Sequence, residues 1–165
     1  MHLDTIHHIA IIGHDYDKTR EFYVDKLGFE PLDEHHRPEK QDILFNIRKG
    51  NLILEIFIKP DAPKRPFLPH PEHTGLRHLA FRVEDVQACL AEFDQLGIPH
   101  TELRVDDFDG CKMAFFFDPD GCLLNFTNRS TESSFSSLKQ EDILFVKLDT
   151  EKRKKKIWKR SAIAG

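Results

Sequence analysis

The sequence predicts an α+β protein in which two βαβββ modules form one curved eight-stranded mixed sheet with helices outside. Three observations carry this. His8 and His78 stand 70 residues apart, as do Glu55 and Asn125, and the surrounding sequence repeats in kind. Thus His7-His8-Ile9-Ala10-Ile11 answers Arg77-His78-Leu79-Ala80-Phe81, Asp15 answers Asp85, and Phe45 and Ile47 are read as answering Phe115 and Phe117. Each half then runs through the same order of hydrophobic periods, and prolines separate the halves. A fixed period is weighed first because a repeated unit that cannot bury its own apolar face must be completed by its copy.

Residues 5–12 alternate as a strand, with Ile6, His8, Ala10 and Ile12 on one face and His7, Ile9 and Ile11 on the other. A helix follows from Asp15, whose side chain can cap it, with Phe22, Tyr23 and Leu27 inward and Gly28 as the stop. Strands are expected near 29–36, 42–48 and 51–58, the last two joined at Lys49-Gly50-Asn51. The pattern restarts with a strand from Leu76 to Val83 and a helix from Val86 to Leu96, stopped by Gly97, with Val86, Leu90 and Phe93 inward. Strands near 100–105, 111–117 and 121–127 complete the second half, with a turn at Asp118-Pro119-Asp120-Gly121. The domain is therefore read as 1–128, with modules 3–58 and 76–128 and a Pro-rich linker at 59–75. Residues 129–165 form a polar and then basic C-terminal tail that matches neither repeat.

Alternation places His8 with Ala10, His78 with Ala80, Glu55 with Ile53 and Phe57, and Asn125 with Leu123 and Thr127, all toward one cavity face. Glu55 and Asn125 thus interrupt strands otherwise built for a core, where a carboxylate is costly unless paired or coordinated. Two neutral imidazoles and one carboxylate suit a divalent first-row metal: zinc, nickel, cobalt, manganese or iron. Asn125 can add a weak carbonyl ligand or a hydrogen bond. The competing reading is a set of unrelated polar groups with ordinary partners, which four positions in one repeat register disfavour. His7 is expected on the helix side as a structural residue, and His35, His36, His70 and His73 as solvated loop residues.

The net charge of −4 hides an asymmetry, because the segment from Arg129 onward carries +5 and the remainder −9. An acidic body does not suit a phosphate backbone, so nucleic acid is not expected as a partner of the main domain. The basic run Lys152–Arg160 reads as a solvated tail, or as a contact for an acidic surface such as a second subunit. No apolar run reaches the ~20 residues that span a bilayer, so no membrane partner is expected. Three cysteines without paired spacing (Cys89, Cys111, Cys122) point to a reducing, cytoplasmic setting.

From about Leu3 to Gly121 the chain resembles the vicinal oxygen chelate superfamily, which includes glyoxalase I, extradiol dioxygenases, fosfomycin-resistance enzymes and bleomycin-binding proteins. The matching stretches are His7 to Ile12, Phe22-Tyr23 through Leu27-Gly28-Phe29, Ile53 to Phe57, Gly75 to Phe81, and Phe116 to Gly121. The resemblance implies a metal held by His8, Glu55 and His78, with Asn125 where glyoxalase I-like members carry glutamate. It further implies a homodimer and a small-molecule substrate with adjacent oxygens, acted on by a metal-dependent lyase or isomerase with Glu55 as proton shuttle. The alternatives are a non-catalytic small-molecule binding protein of the bleomycin-resistance type and an iron(II) dioxygenase.

The departure at Asn125 and the unmatched tail begin together, just after Gly121. Family chains tend to continue Gly-Leu-Pro-Ile-Glu-Phe-Tyr-Glu. Codons GGC TTG CCT ATT GAA TTT TAC GAA that lose one T read Gly-Cys-Leu-Leu-Asn-Phe-Thr, the run from Gly121 to Thr127. The resemblance thus implies a shifted reading frame. The gene is expected to encode glutamate at the place of Asn125 in the neighbouring frame, and codons that cannot do so would end this reading.

Overall fold

The computed structural model describes residues 4–66, 72, 74–129. The expectations for His70, His73 and the tail beyond Arg129 lie outside the described residues.

The first module runs β1 (Ile9–Gly13), α1 (Tyr16–Arg20), a π-helical segment (Glu21–Lys26), β2 (Glu30–Arg37), β3 (Asp42–Lys49) and β4 (Leu52–Ile58). The second runs β5 (Leu79–Arg82), α2 (Val86–Leu96), β6 (Arg104–Val105), β7 (Lys112–Phe117) and β8 (Leu123–Thr127). Both helices start where the sequence offers a cap: Asp15 accepts from the Lys18 amide, and Asp85 from the Gln87 and Ala88 amides. α2 ends at Gly97, whose φ of +64° favours glycine. There Gly97 donates to the Asp94 carbonyl and Ile98 to the Phe93 carbonyl, and the buried Ile98 closes the end.

Each module forms a four-stranded mixed sheet, in the orders β1-β4-β3-β2 and β5-β8-β7-β6. The first strand of each is parallel to the last, and the other pairings are antiparallel. The two βαβββ modules of the α+β class stand as read. Among the described residues, however, no strand pair links the two sheets, so one chain does not itself form the joined eight-stranded sheet.

The reason lies in which faces are buried. Tyr16 packs its ring on Phe45 of the first sheet, while Phe22 reaches Phe116 and Phe29 reaches Phe81 of the second. Phe93 of α2 covers Phe116 and Phe126. The inner faces thus merge into one apolar core, with Ile47, Leu54, Ile56, Val86, Ala114 and Leu124 fully buried. Burial of apolar area is satisfied within the chain, and the outer faces and the edges at β1 and β5 stay open.

Polar contacts fix the joint between modules. Tyr23 Oη donates to Asp118 Oδ2 across 2.9 Å in a buried setting, and the His14 amide donates to Asp120 Oδ2 at 3.0 Å. Burial lifts the Asp118 carboxyl above its ordinary range, and burial together with Asp118 lifts the Tyr23 hydroxyl well above its own, so Tyr23 remains the donor. Gly13 sits at this crossing, where an added Cβ would stand 2.9 Å from Ile58 Cδ1 and 3.0 Å from Thr19 Oγ1.

The structure corrects one detail of the repeat. Asn46 faces Glu55 nine residues on, whereas Phe115 faces Asn125 ten residues on. The path between facing residues is one residue longer in the second hairpin, and a one-residue slip moves every side chain to the other face. The core partners of Phe45 and Ile47 are therefore Ala114 and Phe116, all four buried, while Phe115 and Phe117 turn outward. Asp118 stabilises the longer turn by accepting from the amides of Asp120 and Cys122.

Tyr23→Phe keeps the ring and deletes one buried hydrogen bond. Urea unfolding is expected to show a loss of about 1–3 kcal/mol. An unchanged midpoint would mean that the joint does not depend on this bond.

Candidate functional site

The parallel pairing of first and last strand turns the sequence repeat into matching geometry. Ala10 lies opposite Glu55 on β1 and β4, and Ala80 lies opposite Asn125 on β5 and β8. His8 and His78 each precede the matching alanine by two residues and stand immediately before β1 and β5. The alanines are exposed and add little bulk, which leaves an open floor beside each histidine.

On the first module, His8 Nε2 lies 3.4 Å from Glu55 Oε2, and their side chains are 40% and 26% exposed. Two donors each about 2.1 Å from a first-row metal stand roughly 3.0 Å apart at a right angle and roughly 3.4 Å apart at the tetrahedral angle. The observed separation is thus the bite of a chelating pair. It is equally the separation of a loose ion pair with a protonated imidazole. The His8 ring also meets His7, with Nδ1 to Nδ1 at 2.9 Å and the ring planes 85° apart. His7 was expected on the helix side. It is instead exposed, because β1 begins only at Ile9 and the chain before it does not keep the strand alternation.

On the second module, His78 sets its ring at 90° to Phe115, 5.7 Å between centroids. Burial, aided by the positive Arg77, lowers the His78 pKa and favours the neutral imidazole that a metal requires. Arg77 Nη1 stands 3.5 Å from His78 Nδ1, at the outer limit of a hydrogen bond, while Glu72 holds the same guanidinium with contacts of 2.7, 2.9 and 3.1 Å. Asn125 is 5% exposed, and its Oδ1 is buried without a hydrogen-bond partner among the described residues. A buried orphan acceptor is rare and calls for an explanation.

The first half therefore brings together His8 and Glu55, while the second sets His78 against Phe115, which faces Asn125 across the strands. The chain does not unite the halves: among the described residues, no three His, Cys, Asp or Glu side chains converge as a metal cluster. His35 and His36 lie on β2 and are exposed beside Asp33 and Glu34. Sequence reasoning missed Phe115 and Asn46, which flank Asn125 and Glu55 across the strands. Only the length of each hairpin connection could have revealed them. Asn46 Nδ2 donates to Asp33 Oδ1 at 2.7 Å, extending a polar row from Glu55.

This arrangement of paired βαβββ modules and repeated ligand-type residues defines a class. A model of the Glyoxalase/Bleomycin resistance protein/Dioxygenase superfamily matches residues 5–126, and the chain belongs to that family. It is similar to the protein YwkD of Bacillus subtilis (strain 168), 42% identical over 121 residues, covering 73% of this chain and 93% of that one. Among solved structures, a glyoxalase family protein from Enterococcus faecalis is 51% identical with a TM-score of 0.72, covering 77% of this chain and 99% of that one. The fosfomycin resistance protein FosX from Listeria monocytogenes, complexed with Mn(II) and sulfate, shares the fold at 18% identity, with a TM-score of 0.61 and 79% and 97% coverage. Residues beyond 126 lie outside the family match.

Replacing a buried, unpaired acceptor with an apolar group of similar shape is close to neutral for stability. Asn125→Leu is therefore expected to keep or raise the urea midpoint. A loss above about 1 kcal/mol would show that Oδ1 makes a hydrogen bond in solution.

Proposed function

We propose that this chain is a metal-dependent lyase or isomerase of the glyoxalase type, acting as a homodimer on a small substrate with adjacent oxygens. The observation that carries the proposal is the His8–Glu55 pair at chelating separation, with His78 and Asn125 at the corresponding sequence places of the second module. Neither half holds enough donors alone, and the unpaired edges at β1 and β5 are flanked by exposed Ile6, Ile12 and Leu76. Open edges with apolar flanks favour pairing with another chain. In the dimer, His8 and Glu55 of one subunit meet the partner subunit's His78 and the partner subunit's Asn125. Three cysteines that are free thiols in the structure suit a cytoplasmic enzyme.

The donor set fits a divalent ion, with two imidazoles, one carboxylate and one amide carbonyl. A metal bound there supplies Lewis acidity, polarising the substrate's neighbouring oxygens. The protein supplies the rest. Glu55, with Oε2 turned toward His8, uses its carboxylate to take a proton from the substrate carbon beside the polarised carbonyl. It then returns that proton to the adjacent position, serving as base and then as acid. The Asn125 amide neither takes nor gives a proton at neutral pH, so Glu55 alone carries the transfer. Asn125 Oδ1 instead accepts a hydrogen bond or adds a weak ligand. Ala10 and Ala80 keep the floor clear for substrate.

Asn125 also favours a second reading, a non-catalytic binding protein, because it stands where a second proton-transfer group would act. Elemental analysis and turnover of α-hydroxycarbonyl and hemithioacetal substrates separate the two. Stoichiometric zinc, nickel, cobalt or manganese, lost in His78→Ala, is expected. Glu55→Gln should reduce turnover by about 10²–10⁴-fold while retaining some metal. Unchanged turnover in Glu55→Gln overturns the shuttle. Bound iron with oxygen uptake indicates a dioxygenase, and ligand binding indifferent to chelator indicates the binding protein.

A further inference from the structure

We infer that His7 is a positioning residue for His8: its Nδ1 accepts the hydrogen bond that holds the His8 ring in the tautomer able to bind a metal through Nε2. The inference rests on the proposed metal site and concerns a residue outside its donor set.

The two nitrogens of His8 face different neighbours. Nε2 looks toward Glu55 Oε2 at 3.4 Å, and Nδ1 lies 2.9 Å from His7 Nδ1. A neutral imidazole carries one proton. If Nε2 is to offer its lone pair to a metal, the proton sits on Nδ1, where it needs an acceptor. The nearest one is His7 Nδ1, provided the His7 proton sits on its own Nε2. Only the reverse bond, from His7 Nδ1–H to His8 Nδ1, blocks the site, because it puts the His8 proton on Nε2. An acceptor at position 7 therefore selects the competent form, before a metal arrives as well as after. Metal-bound histidines generally have such a partner, and its loss costs about 10–100-fold in affinity.

The second module supplies an internal contrast. The residue in the place of His7 is Arg77, whose guanidinium also approaches the neighbouring Nδ1, at 3.5 Å. A guanidinium carries donors only, so it favours the proton on His78 Nε2. Glu72 draws Arg77 away with three shorter contacts. The repeat thus places a nitrogen group over Nδ1 in both halves, and only His7 can act as an acceptor. His8 is the preorganised imidazole, whereas His78 must release its Arg77 contact to present Nε2.

The test is cobalt(II) titration of the full-length protein, read by calorimetry and by the visible absorption of bound cobalt, for wild type, His7→Ala, His7→Gln and His7→Arg. His7 is exposed, so all variants are expected to keep the wild-type urea midpoint. His7→Ala should bind cobalt about 10–100-fold more weakly. His7→Gln, whose carbonyl accepts a hydrogen bond, should recover most of that loss, and His7→Arg should recover none. Equal affinity in wild type and His7→Ala overturns the role of His7 while leaving the metal site standing. Equal weakening in His7→Ala and His7→Gln also overturns it, since the acceptor would then be irrelevant. A wild-type protein that takes up no cobalt overturns both readings.

Discussion

The structure depends on how two half-covered sheets share one set of helices. A four-stranded sheet with one apolar face is not stable with that face in water. Here the segment from Tyr16 to Phe29 answers for both sheets, touching Phe45 in one and Phe81 and Phe116 in the other. A single core follows, and the Tyr23–Asp118 bond ties its polar rim. Once the inner faces are used in this way, the outer faces are free to carry groups that a core would reject.

That freedom explains why Glu55 can stand in the middle of Leu52–Ile58 with only the half-exposed His8 beside its charge. Its neighbours on alternate positions, Leu54 and Ile56, are fully buried, while Glu55 lies on the open side next to His8. The parallel pairing of first and last strand then matters for chemistry. It puts the start of β1 beside the middle of β4, two stretches distant in sequence, and does so identically in the second module. One duplicated register yields two half-sites from one backbone solution.

Much of this was legible in the sequence. The caps at Asp15 and Asp85, the stop at Gly97, the limits of α2 and the succession of strands and helix along each module follow from local periodicity and turn chemistry. The histidine, glutamate and asparagine positions followed from the repeat. Three things were not legible. The extra residue on the path from Phe115 to Asn125 is invisible to a count of 70 residues, because the histidine and asparagine spacings are preserved around it. The placement of His7 depends on where hydrogen bonding of β1 begins, which alternation does not set. The separation of the sheets depends on competition between edge pairing and helix burial, a tertiary balance that no local pattern records.

The two half-sites are alike in backbone and unlike in chemistry. The first has a carboxylate, a half-exposed imidazole and a neighbour able to accept a hydrogen bond. The second has a neutral amide buried to 5%, an imidazole pushed toward its neutral form, and an aromatic ring against it. Among these four residues the carboxylate thus belongs to the first half, while the second offers a fixed dipole in a drier setting. In the proposed metal site Glu55 is the one anion among the donors, so a divalent ion bound there would keep a net positive charge. That residual charge favours substrates whose adjacent oxygens become anionic during reaction, since stabilisation then grows from ground state to transition state. A second carboxylate at position 125 would cancel that charge and add a second base. On the proposed function, the identity of this one residue would therefore separate electrostatic hold with a single shuttle from two carboxylates sharing the proton.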